Sequence, residues 1–69
     1  MELTVEFERE ADGRWIAEVA ELPGVLCCGS TRDEALLATK VLALRVIADR
    51  LEHGEAAPDL AAVSFLATA

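Results

Sequence analysis

Three carboxylates raise the first chemical question. Glu6 and Glu8 alternate with apolar residues in Leu3-Thr4-Val5-Glu6-Phe7-Glu8, and Glu18 does so in Arg14-Trp15-Ile16-Ala17-Glu18-Val19. If these stretches pair as a hairpin, the three acids share one sheet face. Clustered acids can hold Mg²⁺ or act as acid and base. The same alternation also produces a solvated, edge-protecting face without chemistry, and that plainer reading is favoured. Arg14 is placed to pair across the hairpin with one of them, an exposed contact worth under about 1 kcal/mol. His53 could serve as a base, but it stands beside Gly54 where a helix is expected to end, and there an imidazolium meets the C-terminal dipole. Cys27 and Cys28 are adjacent. Bridging them would close a strained eight-membered ring, so free thiols are expected. A reactive thiol wants nearby positive charge, and only Arg32 is at hand. Ser30 and Thr31 have no histidine partner. Leu22-Pro23-Gly24-Val25 lacks the glycine spacing and the lysine of a phosphate loop. The single histidine lies far from the cysteine pair, so no zinc spacing exists. No catalytic residue, metal ligand or cofactor-binding residue is assigned, and no cofactor is expected.

The elements that carry these residues follow from periodicity. Period-two alternation makes residues 3–8 a strand with Leu3, Val5 and Phe7 inward. Asp12-Gly13 is a hairpin turn signal, because glycine accepts positive φ. The return strand turns Trp15, Ala17 and Val19 to the core and leaves Ile16 and Glu18 outside. Trp15 reads as a core anchor, since no basic groove accompanies it as a base-stacking platform would require. Pro23-Gly24 suits a type II turn. Val25-Leu26-Cys27-Cys28 is a third strand whose inward face is ambiguous, both alternating sets being apolar. Thr31 and Glu34 form a capping box for a helix that runs to Leu51, with His53-Gly54 as its stop. Residues 62–68 read as a fourth strand with Val63, Phe65 and Ala67 on one face; their alanines leave a helical alternative. The expected fold class is α+β: a two-layer β-β-β-α-β domain over residues 1–69, one helix on one face of a mixed sheet. A right-handed crossover places the fourth strand beside the first, giving sheet order 3-2-1-4.

The 69 residues carry 13 acids and 6 bases, a net charge of −7, with 54% hydrophobic residues. One domain fits this length. The apolar content argues against disorder, and the acidity against a phosphate-backbone binder. No apolar run approaches the roughly 20 residues of a membrane span, so no membrane association is expected. Met1 to Glu6 shows neither the basic nor the apolar region of a signal peptide, which points to the cytoplasm. A lone core in so short a chain is marginal, and oligomerisation is one remedy. On a helical wheel Leu36, Leu37, Val41, Ala43, Leu44, Ile47, Ala48 and Leu51 form an arc able to cover the sheet. Ala35, Ala38, Leu42 and Val46 lie opposite, among Thr39, Arg45, Asp49 and His53. Two-layer helices usually keep that side polar. Together with Ile16 on the outer sheet face, Ala35, Ala38, Leu42 and Val46 are therefore the candidate contacts of a homo-oligomer; the alternative is scattered surface apolar residues of no consequence.

The run Asp12-Gly13-Arg14-Trp15-Ile16-Ala17-Glu18-Val19, then Glu21-Leu22-Pro23-Gly24, then Gly29-Ser30-Thr31-Arg32-Asp33-Glu34-Ala35-Leu36 resembles the N-terminal domain of HicB-like antitoxins. The likeness spans residues 3–50, and Ala20 stands where the family commonly has proline. The resemblance implies a partial RNase H-like β-β-β-α-β domain from a prokaryotic cytoplasm that forms dimers or larger oligomers. It implies an antitoxin of a type II toxin-antitoxin system that covers a small basic mRNA-cleaving toxin. The net charge of −7 suits such a partner, and Glu6, Glu8 and Glu18 are the candidate acidic partner face. Full-length members add a C-terminal DNA-binding domain. Residues up to Ala69 hold none, so no direct DNA binding is expected. Two alternatives stand beside this reading: a solitary oligomeric member of the family without a toxin, and a divalent-metal enzyme built on the three glutamates.

Overall fold

A computed structural model describes residues 1–54 and 63–68. The chain runs β1 (Glu2–Arg9), β2 (Trp15–Val19), β3 (Leu26–Gly29), α1 (Arg32–Glu52) and β4 (Ser64–Ala67). The four strands form one sheet in the order β3-β2-β1-β4. β2 is antiparallel to β1 and β3, and β4 is parallel to β1. The α+β class and the 3-2-1-4 order are those expected from the alternation and the crossover rule, and of the segment read as a fourth strand Ser64–Ala67 is a strand rather than a helix, while Ala62 lies outside the described residues.

Local chemistry accounts for each turn. Asp12 Oδ1 accepts from the Arg14 N–H at 3.0 Å while Gly13 takes φ +88°, which closes the β1–β2 connection. Val25 N–H donates to Leu22 O at 3.0 Å around Pro23-Gly24, with Gly24 at φ +89°; positive φ at that position defines the type II turn. Thr31 Oγ1 accepts from the Glu34 N–H at 3.1 Å, and the Glu34 carboxylate accepts from the Ser30 N–H at 3.0 Å. Thr31 thus caps a helix amide as expected, while the return bond from Glu34 goes to Ser30, one residue before the cap, rather than to the Thr31 amide of a full capping box. At the other end His53 is the cap and Gly54 takes φ +71°.

The core lies between the sheet and one side of α1. Leu3, Val5, Ala17 and Val19 from the sheet meet Ala35, Ala43 and Ile47 from the helix, all buried, with Leu22 and Val25 closing one end. Phe7, Trp15, Val63 and Phe65 pack partly buried around them. Ala67 shares the face of Phe65, as expected, since Phe65 pairs with Leu3 and Ala67 with Val5, and it is exposed at the end of β4.

The helix is rotated relative to the wheel reading, and this is the main correction. Ala35 and Thr39, expected on the outward side, are both at 0% exposure. Ala38, Leu42 and Val46 are half-buried, and Leu42 and Val46 pack against the core. Leu37, Val41, Leu44 and Leu51, expected over the sheet, are exposed instead. Close approach explains the choice. A Cβ on Gly29 would lie 2.5 Å from the Ala35 amide nitrogen, so the first helical turn rests directly on β3. Only small residues fit that contact, and Thr39 adds a bond, its Oγ1 donating to Ala17 O at 3.1 Å. At this end of the contact the helix supplies the small side chains of Ala35, Thr39 and Ala43, with Ile47 filling the space further along.

Candidate acidic interface on the outer sheet face

The pairing register builds the outer face residue by residue. Glu6 stands opposite Glu18, Glu8 opposite Ile16, Glu18 opposite Leu26, and Ile16 opposite Cys28. The three carboxylates therefore share one face, as the alternation implies. Glu6, Glu8, Ile16, Glu18 and Leu26, with part of Phe7, line an open groove of about 390 Å³ on this side. Its floor is Ile16, half-buried, and its wall is Leu26, 43% exposed.

Electrostatics make this face unsettled when the protein is alone. Like charges directly across an antiparallel pair are destabilising, and Glu6 and Glu18 are such a pair. Arg14, placed by the sequence to neutralise one of them, makes no ion pair among the described residues; only its backbone N–H meets a carboxylate, that of Asp12. The acids do not close around a cation either. No group of three or more His, Cys, Asp or Glu side chains among the described residues is gathered closely enough to hold a metal ion. What the face offers is an apolar floor inside an acidic rim.

Other polar groups are engaged structurally. Glu21 accepts from the Thr4 N–H at 2.7 Å and from the Thr4 hydroxyl at 2.8 Å, and these bonds hold its carboxyl below the ordinary value of 4.5. Arg32 lies 4.0 Å over the Phe7 ring and donates from Nη2 to Thr68 O at 2.6 Å, tying the helix start to the end of β4. His53 Nδ1–H donates to Asp49 O at 2.8 Å and lies 3.4 Å from the Asp49 carboxylate at the helix end. Cys27 and Cys28 are free, and Cys28 Sγ donates weakly to Glu10 Oε1 at 3.8 Å.

Two parts of the outer surface escaped the sequence reading. Leu26 points outward because Gly29, in the same strand, is the residue pressed against Ala35. Leu66, 51% exposed, lies at the β4 edge. Of the candidate oligomer contacts, Ile16 sits on the outer face, inside the acidic rim, whereas Ala35 is consumed by the core. Among the described residues no helix is long and apolar enough to cross a membrane. Comparison of the chain with protein-family models, with curated proteins and with solved structures returned no match.

Proposed function

We propose that this chain is an antitoxin-like, protein-binding module of the prokaryotic cytoplasm, which neutralises a small basic RNA-cleaving toxin by covering it and carries out no catalysis of its own. The observation that carries the reading is the outer sheet face: Glu6, Glu8 and Glu18 surrounding Ile16 and Leu26. An apolar centre gives affinity on burial, and a charged rim steers and selects a partner of opposite sign. A basic protein meets both needs and removes the Glu6–Glu18 repulsion. The resemblance of residues 3–50 to HicB-like antitoxins supports the same class of partner, and the β-β-β-α-β order is the one that resemblance implies.

The test is binding and inhibition with the small basic protein encoded beside this chain. Tight association that stops RNA cleavage is expected. Glu6→Lys with Glu18→Lys should weaken the complex by about tenfold or more, chiefly through the on-rate. A neighbour with no ribonuclease activity, or a complex indifferent to both reversals, contradicts the proposal.

A further inference from the structure

The sheet stops at β3 with its hydrogen bonding unfinished. In the order β3-β2-β1-β4, β3 has a neighbour on one side. Val19 N–H donates to Val25 O at 3.0 Å. Alternation along an antiparallel pair then puts the next β2–β3 bonds at Ala17 with Cys27 and at Trp15 with Gly29. The N–H and C=O groups of Leu26 and Cys28 therefore point away from β2, and no other group among the described residues bonds them. Sheet edges are ordinarily guarded by lysine, proline or a bulge. The register of β3 against β2 is unbroken, and Leu26–Gly29 carries neither charge nor proline.

Both sides of this edge suit another strand. On the inner side, Lys40 lies 5.6 Å over the Phe65 ring, so that flank of α1 looks toward β4. Ala38 and Leu42 stand two residues before and after Lys40, about 200° round the helix. They lie on the flank toward β3, and both are only half-buried. On the outer side Leu26 and Cys28 are exposed. Glu18 stands opposite Leu26, and Glu10 Oε1 is 3.8 Å from Cys28 Sγ.

Charge selects the occupant. On α1, Arg32, Lys40, Arg45 and Arg50 balance Asp33, Glu34, Asp49 and Glu52, so the whole net charge of −7 lies outside the helix. The acids beside Leu26 and Cys28 repel the same edge of a second copy and attract a cationic strand. We infer that β3 takes up an extended basic segment of a partner protein as a fifth strand, held by main-chain bonds to Leu26 and Cys28. The side chains of that segment alternate. Lysine or arginine on the outer face reaches Glu10 and Glu18, and small apolar residues on the inner face meet Ala38 and Leu42. This inference rests on the reading of the outer sheet face as the docking surface for a basic protein, and adds the backbone form in which that partner is held.

A capped peptide of alternating lysine and valine, titrated into the isotope-labelled protein, tests it. Saturable binding is expected, with amide exchange slowed at Leu26 and Cys28. Two further peptides keep the side chains and carry N-methyl groups on the lysines alone or on the valines alone. In an added strand only one of these two sets faces β3, so one methylated peptide should bind about tenfold more weakly and the other should not. Equal affinity of all three peptides overturns the added strand, as does binding that leaves exchange at Leu26 and Cys28 unchanged. Protection of these amides that rises with protein concentration, without peptide, assigns the edge to a second copy and also overturns it. The same exchange measurement with the basic protein encoded beside this chain separates the two readings. If that protein binds and inhibits without protecting Leu26 and Cys28, the added strand fails and the proposed function stands. If the peptide adds to the edge but the neighbour is no ribonuclease, the added strand stands and the proposed function fails.

Discussion

At the scale of single residues, Glu21 and Arg32 are side chains that finish what the backbone leaves open. Beyond Val19, where β2 ends, the Glu21 carboxylate takes the Thr4 N–H, while Ala20 N–H reaches Thr4 O at 3.0 Å. Both Thr4 donors favour the ionised acid, and so its carboxyl stays charged to lower pH than in the unfolded chain. The stabilisation is complete above 4.5 and is lost as pH falls through the lower folded value. Thermal melts of wild type and Glu21→Gln should therefore differ at neutral pH and converge in acid. A gap that widens on acidification contradicts this. Arg32 combines a ring contact with a charge-assisted bond to Thr68 O. Arg32→Ala should cost about 1–2 kcal/mol and expose the β4 amides first in hydrogen exchange. Uniform exchange across all strands would show that Arg32 does not tie down β4.

At the scale of elements, the β3–α1 contact decides the helix's rotation. Gly29→Ala would force its new methyl into the Ala35 amide and the Glu34 Cβ. Displacing a capped helix start by that much should cost about 1–3 kcal/mol in chemical denaturation; an unchanged midpoint would mean the first turn does not rest on β3. Thr39→Val, which keeps the shape and loses the bond to Ala17 O, should cost about 1 kcal/mol. These tertiary contacts also mark the limit of what the sequence makes legible. The strands of β1 and β2, the Pro23-Gly24 turn, the Thr31–Glu34 cap and the 3-2-1-4 order rest on local periodicity and turn chemistry, and each can be read along the chain. The helix face cannot, because leucine, valine and alanine occur on both of its sides and amphipathicity alone does not choose between them. The choice belongs to Gly29, whose need for a bare backbone is visible only when Ala35 lies against it. The acidic face was legible from the alternation of Glu6, Glu8 and Glu18. Its apolar wall, Leu26, was not, because both alternating sets in β3 are apolar.

At the scale of the whole molecule, the two surfaces divide the charge. The neutral helix presents an apolar groove, and the sheet presents an apolar floor ringed by acid. Attachment of the proposed basic partner to the sheet should weaken as salt screens the rim. The Glu6–Glu18 repulsion links stability to binding in opposite directions. Glu18→Lys should stabilise the free protein by about 0.2–1 kcal/mol, because it turns a like-charge cross-strand pair into an attractive one, while weakening the complex. A surface kept for fold alone would show no such opposition. The most direct measurement is calorimetric titration of the proposed partner, a small basic protein encoded beside this chain, into wild type and into Glu18→Lys. The account predicts saturable binding to the wild type and clearly weaker, less salt-sensitive binding to the more stable variant. Equal affinity for both, or no heat with either, contradicts it.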